Sequence, residues 1–571
     1  MRRLLAAMLG LVLSSLAPFA GALDISVTLL GDPTPDGCGT NGCSLREAIQ
    51  LANALGGADR ILLPTGLIEL SLAGAGDDAN ASGDLDIADD LEIVGAGSAA
   101  TTVVQLVADR VFDVRSPNIV TLRDFRIEGG RGVDRGGAIQ AAFNPTLKLD
   151  GMVLASNSAS AKGGALYHEG TTGGFALPRL LLTDTVFTDN EVVDPVGTNA
   201  AGGALYMFAS GGNAFYFGIQ NCVFENNRAE GNGGAMLIEA SNVQSDVNGA
   251  IEDTLFSSNV AQTESGGALT VGTDNGGIIR IRVADSSFQD NAAAVTGGAI
   301  EGGKITRIER SDFLGNTAAI GGALNVVVDR VEDSTFCDNH AILQGGAIRA
   351  IADLTIERST FCDNLLTNTM TANDTVGGGA IRFDPPVTAA LLIERSTFDA
   401  NVARVGGALS ITRGDLRLRG TTLVEPASPP AGSLGTLIRY GVVSSTPTWS
   451  LSNTLLIGTC SYTSTPLDPD VTANNIESGG DTCRLTSSFL PIANQVNVPA
   501  ASVMLGPLAD NGGPTQTRLP LAGSAMINAG SNSSCIVPDQ RDLLIADGNC
   551  DVGAVELGGG PNDALFADGF D

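Results

Sequence analysis

One phrase constrains this chain more than any other feature. Phe-x-x-Asn returns at Phe187/Asn190, Phe224/Asn227, Phe256/Asn259, Phe288/Asn291, Phe313/Asn316, Phe336/Asn339, Phe361/Asn364 and Phe398/Asn401. A second phrase, Gly-Gly-Ala followed mostly by Ile or Leu, starts at Gly136, Gly163, Gly202, Gly233, Gly266, Gly297, Gly321, Gly345, Gly378 and Gly406, and the two alternate along the chain. From Phe288 through Phe313 and Phe336 to Phe361 the steps are 25, 23 and 25 residues, too short for a domain and the length of one solenoid coil. Steps of 32 or 37 residues keep both phrases and lengthen the middle, as loops on one face do.

The columns of the repeat say which solenoid. Five residues before each Phe stands an apolar residue (Leu182, Ile219, Ile251, Val283, Ile308, Val331, Ile356, Ile393), and two before it a small one (Thr185, Cys222, Thr254, Ser286, Ser311, Ser334, Ser359, Ser396). Period-two segments rich in Ile, Val, Thr and Phe, broken by Gly, Asn and Asp, are short strands rather than helix pairs. With about 24 residues per coil, each strand stacks on its equivalent at about 4.8 Å, which predicts an all-β, right-handed, single-stranded parallel β-helix of a dozen or more coils. Identical residues then form ladders. The column Asn190, Asn227, Asn259, Asn291, Asn316, Asn339, Asn364 and Asn401 is expected to bond from coil to coil at a tight corner, and Gly-Gly to supply the backbone freedom of another.

Charge narrows the partners. The chain of 571 residues carries 63 acidic against 32 basic residues, a formal charge of -31, and shows no basic cluster. Such a field repels phosphate backbones, so no nucleic-acid partner is expected. Residues 1–22 pair two arginines with an apolar stretch and the small residues Ala20, Gly21 and Ala22, the pattern of a cleaved signal peptide; an uncleaved anchor helix is the competing reading. No later segment reaches spanning length, so no integral membrane span is expected after cleavage.

Export gives the nine cysteines meaning. Proximity alone orders them as Cys38/Cys43, Cys337/Cys362, Cys460/Cys483 and Cys535/Cys550, with Cys222 left over, although eight cysteines admit 105 pairings. Cys337 and Cys362 each follow the Phe of their coil by one residue, so stacking would bring their Cα atoms within disulfide reach. No Cys-x-x-Cys spacing supports zinc.

Alternating GGA[ILV] and FxxN is the motif pair of the repeats in the chlamydial polymorphic outer membrane (Pmp) proteins, and the chain resembles that family across about 136 to 410. The resemblance implies a surface-exposed β-helix and an adhesin-like role. Those proteins end in an autotransporter barrel, and this chain shows no series of ten-residue alternating strands after 440, so barrel anchoring is not carried over. CSLREAIQLANA at 43–54 resembles the motif that names the CSLREA family of bacterial secreted proteins. In physical terms it is a short helix with Ser44 and Glu47 as a capping box and Leu45, Ala48, Ile49 and Ala52 on one side, a lid for the open end of a solenoid. GDLDIADDLEIVGAG at 83–97 looks like the first strands of that β-helix. Residues 505–530 with Cys535, Asp539-Gln540-Arg541 and CDVGAVE at 550–556 resemble the choice-of-anchor Q domain, and the ending DALFADGFD resembles a short tail of other secreted bacterial proteins.

The expected organisation is therefore a signal peptide at 1–22, an N-terminal cap at 23–56, β-helix repeats at 57–440, a β-rich choice-of-anchor Q-like region at 441–557 and a flexible tail at 558–571.

Parallel β-helices include polysaccharide lyases and hydrolases, but fold does not imply function. Glu252, Glu309, Glu332, Glu357 and Glu394 share one register. Arg310, Arg358 and Arg395 share the next with Asp184, Asp253, Asp285 and Asp333. These groups could line a sugar groove, yet catalytic groups should break a repeat rather than obey it, and a solvated wall of inter-coil ion pairs is the weightier reading. His168 and His340 accompany no GxSxG element. The acidic loop at 76–86 could take calcium but matches no EF-hand spacing, so no cofactor is assigned. Tyr167, Tyr206 and Tyr216 with Phe217 are read as lying in the long loops of the early coils, the best place for a binding patch.

The sequence thus describes a secreted or cell-surface protein, expected to be a monomer. It is expected to act in display, adhesion or contact with glycans or cell-surface proteins without catalysis. A pectate-lyase-like polysaccharide lyase or hydrolase is the alternative.

Overall fold

Strands do stack coil upon coil in a computed structural model of the chain. The structure describes residues 22–558 and 560–561, apart from 75, 77–78, 116–117, 171–178, 194–199, 213, 275, 369–374, 387–388, 442–447 and 463–468. The signal peptide expected at 1–22 lies outside them up to Gly21, as does the expected tail from 562. One coil shows the plan. After Gly233-Gly234-Ala235 comes a strand, Met236–Ser241, here called the GGA strand; a wall strand, Asp246–Glu252, follows, then a Phe strand, Leu255–Ser257, and a short strand, Val260–Ala261, before the next Gly-Gly. GGA and wall strands make one thirty-stranded sheet among the described residues, Phe strands one of fifteen, and short strands one of nine. All of these pairings are parallel and set like on like: Phe224 opposite Phe256, Ile251 opposite Val283. This is a parallel β-helix.

The ladders hold it from inside. Seven successive Phe pairs from Phe187 to Phe398 stack with ring centroids 4.6 to 4.9 Å apart and planes within 6°, the strand spacing itself. Asn227 is typical of its column. Its Nδ2 donates to the carbonyl of Phe187 at 2.9 Å and to Oδ1 of Asn259 at 3.1 Å, while its Oδ1 accepts from the N–H and Nδ2 of Asn190 at 3.1 and 3.0 Å. The same pattern runs to Asn401 and begins one coil before the phrase does, at Asn157.

The small column is a second ladder. Ser311 Oγ donates to the carbonyl of Glu309, two residues back, at 2.9 Å and accepts the N–H of Ser286 from the preceding coil at 3.2 Å. Cys222 takes a hydroxyl's place here, its thiol 3.2 Å from the carbonyl of Gln220.

Corners explain the rest of the phrase. The residue before each small residue is left-handed, φ 49 to 50° at Asp184, Asp253, Asp285 and Asp333 and 46 to 47° at Arg310, Arg358 and Arg395. Asp tolerates this conformation; an ordinary side chain such as Arg is held there at a cost of about 1 kcal/mol. The second glycine of Gly-Gly answers to crowding: a Cβ on Gly322 would sit 2.0 Å from the carbonyl oxygen of Gly346 one coil on.

The helix Leu45–Leu55 closes the N-terminal end, with the capping box of Ser44 and Glu47 formed and Leu45, Ala48, Ile49 and Ala52 buried. Arg46 is buried as well. It pairs with Asp32 at 2.7 Å and donates to the carbonyls of Gly83 and Asp84 at 2.8 and 3.1 Å, tying lid to first coils.

The boundary expected at 440 is a change of phrase rather than of fold. Trp449–Ser452, Leu455–Ile457, Cys460–Tyr462, Val471–Ala473, Ile476–Ser478 and Leu490–Ile492 continue the same parallel stacks. Leu fills the Phe position, Leu423 opposite Leu456, before Glu477 takes it, so the core continues without its marker residue. The chain then turns back and lies along the Phe strands. Its two-stranded hairpin (Leu505–Ala509 with Thr517–Pro520) carries Arg518, paired with Asp399 at 2.8 Å. Gln540 joins oxygens of Thr515, Thr360 and Thr397 at 3.0, 2.8 and 2.7 Å. Among the described residues no helix is long and apolar enough to cross a membrane.

Candidate functional site

The eight asparagines from Asn190 to Asn401 are buried in the ladder. Disulfides join Cys38–Cys43, Cys337–Cys362, Cys460–Cys483 and Cys535–Cys550, while Cys222 is a buried free thiol that burial pushes up to about 11. Cys337 lies in register with Cys362, Cα atoms 4.6 Å apart. Four disulfides place the folded chain in an oxidising compartment.

The charged columns pair with each other. Arg282 bridges Glu252 and Glu309, Arg307 meets Glu332, Arg330 reaches Glu357 at 2.5 Å, Arg395 Glu357 at 3.0 Å and Arg419 Glu394 at 2.8 Å. Arg310 and Arg358 reach back one coil to Asp285 and Asp333 at 2.7 and 2.6 Å. These are wall residues, locked coil to coil. His340 is exposed in the short-strand sheet. His168 points into the core, edge-on to Phe215 at 4.9 Å, and burial pushes its imidazole down to about 3.

What departs from repetition lies in the column just after GGA[ILM]. Asp86 stands opposite Asp113, Asp113 opposite Gln140, Gln140 opposite Tyr167, and Tyr167 opposite Tyr206. The Gly-Gly corner folds the short strands towards this column, so it is buried although it lies outside the core. The tyrosines expected in loops are therefore in strands, Leu166–Gly170 and Leu205–Ala209, because their stretches carry the GGA-strand alternation. Their rings stack at 5.6 Å; Arg135 lies over Tyr167 and Lys162 over Tyr206 at 5.0 and 4.3 Å. Tyr167 donates to Glu169 at 2.9 Å and Tyr206 to Glu239. Burial raises both phenols well above their ordinary value and lowers Lys162. At 2% and 1% exposure the rings offer no sugar a face, and the cluster clamps the corner.

Towards the N-terminus the same column becomes acidic. One carboxylate oxygen from each of Asp84, Asp86 and Asp113 lies within 4.8 Å of the others, all three residues buried. Arg110 approaches Asp84 and Asp113 at 3.5 and 3.6 Å, and Arg115 approaches Asp86 and Asp113 at 2.8 and 3.1 Å. Burial first, then Asp109, pushes Asp84 up to about 6. The sequence allowed calcium at the acidic loop 76–86 without assigning it and passed over Asp113, which coil stacking brings opposite Asp86.

The accessible candidate is on the wall strands. A shallow groove of about 630 Å³ is lined by Asp24, Arg60, Glu92, Ile119, Arg123 and Lys148, among others. Ile119, Thr146, Arg179, Tyr216, Asn248 and Arg280 form one outward column leading away from it. Tyr216 is 41% exposed, Phe217 is buried, and Arg280 pairs with Asp246 at 2.7 Å. Lys148 and Arg179 have no ion pair among the described residues. An exposed ring between two guanidinium groups can stack on a sugar face while the cations meet carboxylate or sulfate.

The Chlamydia polymorphic membrane protein repeat matches residues 221–235, a Phe strand with its asparagine and the following Gly-Gly-Ala. The "Probable autotransporter YfaL" of Escherichia coli (strain K12) is 28% identical over 172 residues, 28% of this chain. The match spans only 13% of that protein's length. Among solved structures, the alginate lyase AlyF-OU02 covers 88% of this chain and 93% of its own at 12% identity and a TM-score of 0.39. A thermostable alpha-1,3-glucanase from Streptomyces thermodiastaticus covers 79% and 70% at 16% identity and a TM-score of 0.32. Likeness that slight carries no argument about activity. The chain is thus a parallel β-helix carrying a Pmp-type repeat.

Proposed function

We propose that this is an exported surface protein that displays its β-helix and binds glycan along the wall strands of its N-terminal half, without transforming it. The observation that carries the reading is Tyr216, 41% exposed and in register between Arg179 and Asn248, with Arg280 beyond. On a chain of charge -31, Lys148 beside this column and Arg179 within it carry no ion pair among the described residues and are the cations an anionic sugar would meet. Pmp-type repeats, the autotransporter likeness and four disulfides support display outside the cell. The CSLREA-like lid and the choice-of-anchor Q-like segment serve, in this reading, to close the solenoid and brace its last coils. The chain works as a monomer whose partners are glycans or glycosylated cell-surface proteins.

The test is binding of the purified protein to a polysaccharide panel, comparing wild type with Tyr216→Ala. Loss of affinity of about tenfold for uronate-containing or sulfated polymers supports the proposal, since one stacked ring contributes about 1–3 kcal/mol. Unchanged binding refutes it. Unsaturated product from any polymer, with or without calcium, replaces it with the lyase reading.

A further inference from the structure

The acidic end of the off-repeat column has a shape that the ion-pair ladders lack. In the Glu ladder Glu252, Glu309, Glu332, Glu357 and Glu394 each meet a guanidinium of the same or a neighbouring coil. Between the strands Leu85–Ile87 and Phe112–Val114, the ion pairs among the described residues join Asp84, Asp86 and Asp113 to Arg110 and Arg115, with Asp109 beside them. The nearby Arg46 is matched by its own partner, Asp32. Two negative charges are left over in a place where the three clustered residues are at most 8% exposed.

A second observation points the same way. Asp109 is 8% exposed, its Oδ1 accepts the N–H of Arg110 at 2.9 Å, and its Oδ2 has no hydrogen-bond partner among the described residues. That oxygen is directed at Gly83, the neighbour of Asp84, where an added Cβ would meet it at 2.7 Å. A buried carboxylate oxygen without a partner costs about 1–3 kcal/mol or more, so it is not retained by chance packing.

We propose that Asp84, Asp86 and Asp113, with Asp109 beside them, bind one hard divalent cation, calcium by preference, that fastens the first coils of the β-helix beneath the capping helix. The spacing suits it. Oxygens bound to one calcium at about 2.3–2.6 Å lie at most about 5 Å from each other, and the three carboxylate oxygens here are within 4.8 Å. Carboxylates alone, without thiolate or imidazole, select calcium, magnesium or manganese over zinc or copper. The site lies at the foot of the CSLREA-like lid, whose Arg46 grips the carbonyls of Gly83 and Asp84. It is independent of the glycan reading.

The test uses the mature protein stripped with EDTA. Calorimetric titration with calcium, magnesium and manganese should show one site per chain at or below about 1 mM, the range of extracellular calcium modules. Calcium should also raise the melting temperature. Asp113→Asn should lose at least about tenfold in affinity; if that variant does not fold, Asp109→Asn is the substitute, and Asp134→Asn on the exposed short strand is the control. Wild-type protein that binds none of the three ions overturns the proposal. So does binding that survives both Asp113→Asn and Asp109→Asn unchanged, because the ion then sits elsewhere.

Discussion

Replacing Asn291 by alanine probes the ladder where it is continuous on both sides. Asn291 Oδ1 accepts the N–H of Asn259 at 3.1 Å and its Nδ2 at 2.9 Å; Nδ2 of Asn291 donates to the carbonyl of Phe256 at 2.9 Å and to Oδ1 of Asn316 at 3.0 Å. Asn259 Nδ2 keeps its bond to the carbonyl of Phe224, and Asn316 Oδ1 keeps the backbone N–H of Asn291. One buried donor, the backbone amide of Asn259, loses its side-chain acceptor, while the carbonyl of Phe256 stays within the parallel ladder of Leu255–Ser257 with Ser287–Gln289. For this one orphaned group the variant should lose about 1–3 kcal/mol. The solenoid localises the damage, because each coil contacts only its neighbours. Hydrogen exchange should show the amide of Asn259 losing protection while Asn190, two coils away, keeps it, and urea unfolding should start at a lower midpoint. A loss below about 1 kcal/mol, or continued protection of the Asn259 amide, would refute the claim that the column holds the corner by these bonds.

Three further outcomes follow from other columns. Gly322→Ala puts a Cβ 2.0 Å from the Gly346 carbonyl, whereas on Gly272 the nearest atom is 3.9 Å away; the first should cost at least about 3 kcal/mol and the second remain folded with near-normal stability, read by thermal melts. Cys222→Ser should leave stability within about 0.5 kcal/mol because a hydroxyl suits that ladder, while Cys222→Val should cost about 1–2 kcal/mol by denaturant titration. His168 stays neutral in the fold down to about pH 3, whereas the unfolded imidazole takes a proton below about 6.5. Its contribution is therefore full above pH 6.5 and falls by about 1.4 kcal/mol per unit as the solution is acidified towards pH 3. His168→Met, matching its stacked neighbour Met207, should flatten that part of the urea-midpoint profile, and an unchanged slope would exclude His168 as its source.

The fold was legible because stacking turns a structural position into a repeated letter. Phe, Asn and Gly-Gly stand in the same places in every coil, so eight copies report one geometry. Legibility ended where the letter changed but the position did not. Asn157 extends the ladder, yet Leu154 replaces the Phe that would have announced it. After 440, Leu456 fills the core in place of Phe and the phrase disappears while coils continue. Arg46, outside the apolar side read from the sequence, is buried on Asp32, a contact fourteen residues away that no helical period reveals. The Gln540 latch spans 180 residues to Thr360 and has no local signature at all.

The candidate sites were hard to read for the opposite reason. A ladder residue repeats because its neighbours above and below are copies of itself, so its partners are used up within the protein: each Asn amide, each Ser hydroxyl and most wall Arg–Glu pairs are satisfied by the next coil. A residue able to meet something else must differ from its neighbours, and then no column announces it. Tyr216 follows Arg179 and precedes Asn248, and Asp86 with Asp113 precedes Gln140 and Tyr167 in a column that never settles. Both departures fall in the N-terminal half, away from Thr360, Thr397 and Asp399, where the C-terminal segment docks. Aligning the chain by coil and searching for positions that refuse to repeat would have found both, and that search applies to any β-helix whose ladders are this regular.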